Sequence, residues 1–319
     1  MSDETNDVDA ITGGDEDADV DVFDLSDAEG LADASPRWAE LPQSSTLSVQ
    51  AADDFLCWRD ATIVAIVGER NGGKTTLVTE MYSCFLRGTF ADALFCHSLS
   101  LMGFEKKCFQ SRAESGGLRP ETPRTSAQEG LSFFHLGLAD VSDLKRHDLL
   151  ISERAGEVYR EIRDRPERAS EMAELRKASS VVFIIDGERI ACPRKRPEAY
   201  ASVRHLIRAL LFSGNFSAQA QIQLVTTKYD LLESETFVDA RESLDEFERT
   251  VIALVAGKHE VSAFHTAARD PRPGVAPAWG LAPLLRSWLR PLPPLSFEEM
   301  PLPVLTDEFD RLMLNRGSR

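Results

Sequence analysis

A chain of 319 residues with 43% hydrophobic side chains is large enough for a substantial core, in one large or two modest domains. Thirteen acidic residues fall within positions 1–36, which hold no Lys or Arg, so setting them aside reduces the formal charge from −16 to about −3. No basic patch is large enough to neutralise many phosphates, which argues against nucleic acid as a main partner, and no apolar run nears the roughly 20 residues of a membrane-spanning helix.

Residues 1–36 carry too little apolar surface to offset their ordering entropy, which predicts a disordered acidic tail. Residues 37–60 read as a lead-in segment. The first strand is expected at Ala61–Val67, "ATIVAIV", a run suited to burial on both faces of a parallel sheet. A helix should follow, because Leu77, Val78, Met81, Tyr82, Phe85 and Leu86 make one apolar face and Gly88 supplies a stop. Further strands are expected near 93–97, 131–138, 148–152, 181–186, 222–227 and 261–264, and helices over 198–212, 236–256 and 280–289. Residues 104–130, rich in Gly, Ser, Pro and charge, read as an exposed loop. Residues 291–319 read as a Pro-rich C-terminal extension, with a short helix over 304–319. Strands alternating with helices predict an α/β fold over 61–290, a three-layer sandwich with a mainly parallel sheet.

Cys57, Cys84, Cys96, Cys108 and Cys192 form no C-x-x-C pair, and their odd number suits free thiols in a reducing compartment. The N-terminus lacks a basic-then-apolar targeting pattern, so a soluble, cytoplasmic protein is expected. His97, His135, His205 and His265 show no metal-ligand spacing and read as core or surface residues.

The chemistry concentrates first in "GERNGGKT", Gly68–Thr75, which fits G-x-x-x-x-G-K-[ST] between a buried strand and a helix. Gly68, Gly72 and Gly73 allow the backbone to wrap around phosphate oxygens, and Asn71 and Thr76 belong to the same cradle. The helix N-terminus adds positive partial charge. Lys74 should reach the β- and γ-phosphates, and the Thr75 hydroxyl should ligate Mg²⁺.

"VTTKYD", Val225–Asp230, ends a hydrophobic strand and resembles the [NT]-K-x-D element of GTPases. A carboxylate at Asp230 can accept from both N1–H and the N2 amino group of guanine, a donor pair that adenine lacks. Lys228 would lie along the ring. In "EVSAFHTA", Ser262-Ala263 is placed at the end of the next strand and resembles the loop whose backbone N–H meets guanine O6.

For hydrolysis the relevant stretch is "LLISERAGEVY". Gly156 fits the glycine whose N–H contacts the γ-phosphate, while Glu153 stands where small GTPases carry Asp and Glu157 where they carry a water-positioning Gln. Glu153 can still serve the Mg²⁺ shell. Asp186, closing "VVFIID", is an alternative Mg²⁺ carboxylate. A further metal ligand is expected from Thr122 or Thr125, with Thr125 preferred, and Arg70, Arg124 and Arg154 are candidate charge stabilisers.

Taken in order, GERNGGKT, a Thr-bearing loop, ERAGE, TKYD and SAF resemble the Ras-like (TRAFAC) GTPases over roughly residues 61–290. Within that class "LFCHSLSLMGFEKK…ETPRTS" is similar to bacterial double-GTPase proteins of conflict (anti-phage) gene clusters. That resemblance implies GTP or GDP as ligand, with an operonic partner GTPase and effector proteins. The leading expectation is a GTP-binding switch with slow hydrolysis. The alternatives are a pseudo-GTPase that holds its nucleotide structurally and an ATP-dependent P-loop enzyme.

Overall fold

The computed structural model describes residues 45–109, 130–214, 216–269 and 278–291. The acidic tail, Thr122, Arg124 and Thr125, and nearly all of the C-terminal extension lie outside them. The described chain contains eight strands. β1 (Leu47–Ser48) leads into α1 (Val49–Leu56), then come β2 (Thr62–Val67), α2 (Lys74–Phe85), β3 (Ala93–His97), α3 (Leu101–Phe109), β4 (Ser132–Asp140) and β5 (Arg146–Glu153). The second half runs α4 (Gly156–Asp164), α5 (Ala173–Lys177), β6 (Ser180–Asp186), α6 (Gly187–Ala191), α7 (Arg196–Phe212), β7 (Gln221–Thr227), α8 (Val238–Val255), β8 (Val261–His265) and α9 (Leu281–Leu289).

The sheet order is β1-β4-β5-β2-β6-β7-β8, with β3 also paired to β4. β5, β2, β6, β7 and β8 are mutually parallel, whereas β4 runs antiparallel to β5, β1 and β3. The period of two along a strand explains the layers. Ile63, Ala65 and Val67 of β2 face a core shared with α4, α7 and α8, while Val64 and Ile66 face the core built with α2, α3 and α9. The loop after β2 therefore emerges between two helical layers. No described helix is long and apolar enough to cross a membrane.

Three expectations are corrected. Residues 45–60 are not merely a lead-in, since β1 pairs with Phe133 and Ser132 of β4, and Leu47 and Ala52 are buried in the core. Residues 104–109 are the end of helix α3 rather than loop, because Phe104 and Cys108, four apart, bury against β4 and α2. Leu86 is 55% exposed and caps α2, which ends at Phe85, rather than extending its buried face.

One buried polar residue orients the last helix. Gln223 of β7 donates to Ser287 Oγ at 2.9 Å and accepts from Trp288 Nε1 at 2.7 Å, so all three buried side chains are satisfied and α9 is fixed in rotation on the sheet.

Candidate nucleotide-binding site

The loop Gly68–Gly73 leaves β2 and ends on α2, whose N-cap Gly73 takes φ 86°. Asn71 is also left-handed, at φ 62°, a conformation that Asn tolerates better than most side chains. Lys74 donates to the carbonyls of Gly68 (2.7 Å) and Glu69 (3.0 Å), so its ammonium spans the loop. Burial pulls the Lys74 pKa down to about 8, against the opposing pull of Glu153, Glu157 and Glu69. Thr76 follows in the first turn of α2, where its carbonyl accepts from Thr79 Oγ1.

The expected metal pair is in direct contact. Thr75 Oγ1 donates to Glu153 Oε1 at 2.8 Å, and Glu153 closes β5 with 3% of its surface exposed. The extra methylene of Glu over Asp is taken up within this contact. Because the hydroxyl donates its proton to the carboxylate, its lone pairs stay available to a cation. Two hard oxygen donors beside a phosphate-binding loop suit Mg²⁺. Asp186, the alternative carboxylate, is engaged elsewhere: it accepts from Glu188 N–H and pairs with Lys228 at 3.0 Å.

Gly156 begins α4 against the loop. A Cβ there would stand 2.3 Å from Arg70 N, so only glycine permits this approach. Glu157 pairs with Arg70 at 3.4 Å, both about half exposed. Arg154, by contrast, is held by Glu174 through two bonds of 2.9 and 3.0 Å.

The TKYD segment is joined to the phosphate loop twice. Thr227 Oγ1 donates to Gly72 O at 2.8 Å, and Lys228 Nζ donates to Asn71 O at 3.0 Å. Lys228 is left-handed, at φ 52°, and Asp230 follows half-buried in a short 3-10 turn over Tyr229–Leu232. Burial alone would lower the Lys228 ammonium, but Asp186 and Glu188 reverse that and hold it above its ordinary value. The Tyr229 ring stacks on His265 at 4.3 Å and on Trp279 at 5.8 Å, which fixes the segment against the chain after β8.

Ser262 and Ala263 do not reach this place. They are the second and third residues of β8, in register with Gln223 and Leu224 rather than with the end of β7. The chain that meets the TKYD segment is Thr266-Ala267: Tyr229 N–H donates to Thr266 O at 3.0 Å, and Thr266 N–H to Thr226 O at 2.8 Å. The same small-residue pattern recurs four positions on, as "TA" in "FHTAA", and the strand register decides between the two.

Sequence reasoning also missed what surrounds Glu69. Its carboxylate accepts from Arg163 of α4 at 2.7 Å, from Arg189 of α6 at 3.0 Å and from the Ser202 hydroxyl of α7. Only the position of an acid inside a glycine-rich loop hinted at such partners.

A second cluster lies on β3, β4 and β5, where His97, His135 and Asp148 bring ligating atoms within 4.8 Å of one another. Its hydrogen bonds are not those of a metal centre. His135 Nδ1 accepts from Leu99 N–H at 3.1 Å, which leaves the proton on Nε2 to be donated to Asp148 Oδ1 at 3.0 Å. Arg146 fills the remaining place, 2.9 Å from both Asp148 oxygens and from His97 Nε2. Burial lowers the His135 pKa to about 4, so the ring is neutral near pH 7.

The parallel sheet, the glycine loop on a helix N-terminus and the TKYD segment beside it define a P-loop nucleotide-binding protein. A family model described as Double-GTPase 2 matches residues 62–289, and the chain belongs to this family of P-loop GTPases. No curated protein matches the chain in sequence. Among solved structures it is similar to a chain of the signal recognition particle receptor SRβ-GTP/SRX complex from Chaetomium thermophilum, at 12% identity over 68% of this chain and 95% of that one, with a TM-score of 0.37. It is also similar to Roco2 RocCORdC of Methanosarcina barkeri bound to GDP, at 13% identity over 72% of this chain and 49% of that one, with a TM-score of 0.35.

Proposed function

We propose that the protein is a GTP-binding molecular switch that hydrolyses GTP slowly to GDP and phosphate and signals to protein partners. The observation that supports this reading is the bond from Lys228 Nζ to Asn71 O, which joins the TKYD segment to the phosphate loop. In this reading Lys74 neutralises the β- and γ-phosphates, Gly156 N–H meets the γ-phosphate, Glu157 orients water and Asp230 reads the base. Catalysis then rests on positioning and charge neutralisation. Mg²⁺ held by Thr75 and Glu153, with Thr125 as the third expected ligand, would add neutralising charge at the phosphates. The resemblance to conflict-system proteins supports a cytoplasmic setting in bacterial defence, with a second GTPase and effector proteins from the same gene cluster as partners. Identifying the nucleotide that co-purifies, then following phosphate release from GTP with and without those partners, tests the reading. ATP or ADP as the retained nucleotide overturns it.

One observation favours a second reading, a pseudo-GTPase that retains GTP or GDP as a structural ligand. Glu157, the residue assigned to water, is already ion-paired with Arg70. Absence of turnover under every condition, with guanine nucleotide bound, decides for this alternative.

A further inference from the structure

Helix α4 meets the phosphate loop along one stripe. Gly156, Tyr159 and Arg163 are spaced by three and four residues and so lie on one face of the helix. Gly156 abuts the Arg70 backbone, the buried Tyr159 hydroxyl donates to Ile66 O at 2.8 Å, and Arg163 donates to the Glu69 carboxylate at 2.7 Å. The three contacts fall on the end of β2 and the first half of the loop, Tyr159 on Ile66, Arg163 on Glu69 and Gly156 on Arg70.

The Arg163–Glu69 contact differs from the other two in being an ion pair within a larger group. Glu69 is 11% exposed at its side chain and is also held by Arg189 and Ser202, while its carbonyl accepts from Lys74. A single loop residue thus connects the phosphate-gripping lysine to α4, α6 and α7. Breaking it leaves Arg163 with the exposed Asp164 and Arg189 with the exposed Glu198 as their remaining acids.

We propose that Glu69 is a positioning residue that latches α4 to the phosphate loop through Arg163, and that recognition of a γ-phosphate by the start of α4 depends on this latch. The proposal rests on the guanine-nucleotide reading above. In that reading the diphosphate and base would meet the loop, Lys74 and the TKYD segment directly, without α4. The third phosphate would depend on α4, because Gly156 and Glu157 are α4 residues.

The test uses the full chain and the variants Glu69→Gln, Arg163→Met and the double variant. Arg163→Met leaves Glu69 with Arg189 and Ser202, and so retains a folded comparison where Glu69→Gln does not fold. Binding of GDP and of a non-hydrolysable GTP analogue is titrated, and hydrogen exchange of residues 156–164 is followed in the nucleotide-free protein. The expected result is an affinity for the triphosphate analogue lowered about tenfold with GDP nearly unchanged, the double variant no worse than the stronger single one, and faster exchange across α4. Equal weakening of both nucleotides, additive losses, or unchanged exchange in α4 overturns the latch. If the unmodified protein binds no guanine nucleotide, the functional reading fails and the exchange of α4 alone decides on the latch.

Discussion

The Thr75 hydroxyl donates to Glu153 Oε1 at 2.8 Å, joining the first turn of α2 to the last residue of β5. A glutamate in the place of the expected aspartate therefore still meets the residue it should serve. Glu153→Ala is expected to lower the affinity for GTP in the presence of Mg²⁺ by about 10- to 100-fold. Binding with the metal chelated should change little. Titration of a fluorescent nucleotide with Mg²⁺ and with EDTA reads both arms, and an equal loss in the two would remove Glu153 from the metal shell.

In the proposed function Asp230 reads guanine. Asp230→Asn replaces an acceptor pair with one acceptor and one donor, which no longer matches the two adjacent donors of guanine. GTP affinity should fall by about 100-fold or more, while discrimination against ATP shrinks. Calorimetric titration with both nucleotides checks this, and an unchanged preference for guanine would refute the assignment.

A methyl group at residue 156 has no room, because it would meet Arg70 N at 2.3 Å. Gly156→Ala should push α4 and the loop apart at a cost of about 1–3 kcal/mol. Thermal melting reads the loss of stability. An unchanged melting temperature would show that the approach of α4 to the loop is looser than described.

The neutral, buried His135 makes stability depend on pH. In the unfolded chain a histidine takes up its proton near pH 6.5, whereas in the folded protein burial delays this to about pH 4. Between these values the unfolded state binds more protons, so stability is full above pH 6.5 and declines as pH falls towards 4, by up to about 3 kcal/mol. Asp148, which Arg146 and His135 hold below its ordinary range against the opposing effect of burial, adds its own loss only at lower pH. Melting curves from pH 7 to pH 4.5 should show this slope, and His135→Asn should flatten it. Parallel curves for the two proteins would place the acid sensitivity elsewhere.

Much of the sheet is readable from sequence because its central strands are continuous apolar runs, and 93–97 coincides with β3 itself. β1 and α1 are not readable in that way, since a two-residue strand and an eight-residue helix are too short to display a period. The phosphate loop and TKYD are local patterns, and their residues lie where a local reading places them. Ser262-Ala263 misleads because small residues recur in "SAFHTA" and only hydrogen bonding to β7 sets which of them end the strand. The partners of Glu69 could not be named from sequence, because they lie 94, 120 and 133 residues further along the chain.

The two bonds between the TKYD segment and the phosphate loop, Thr227 to Gly72 and Lys228 to Asn71, have a thermodynamic consequence. They hold both halves of the cradle in mutual register before any ligand arrives, including two residues whose left-handed backbone is intrinsically unfavourable. A nucleotide binding here loses little additional chain entropy on the protein side, so more of each contact it makes survives as net affinity.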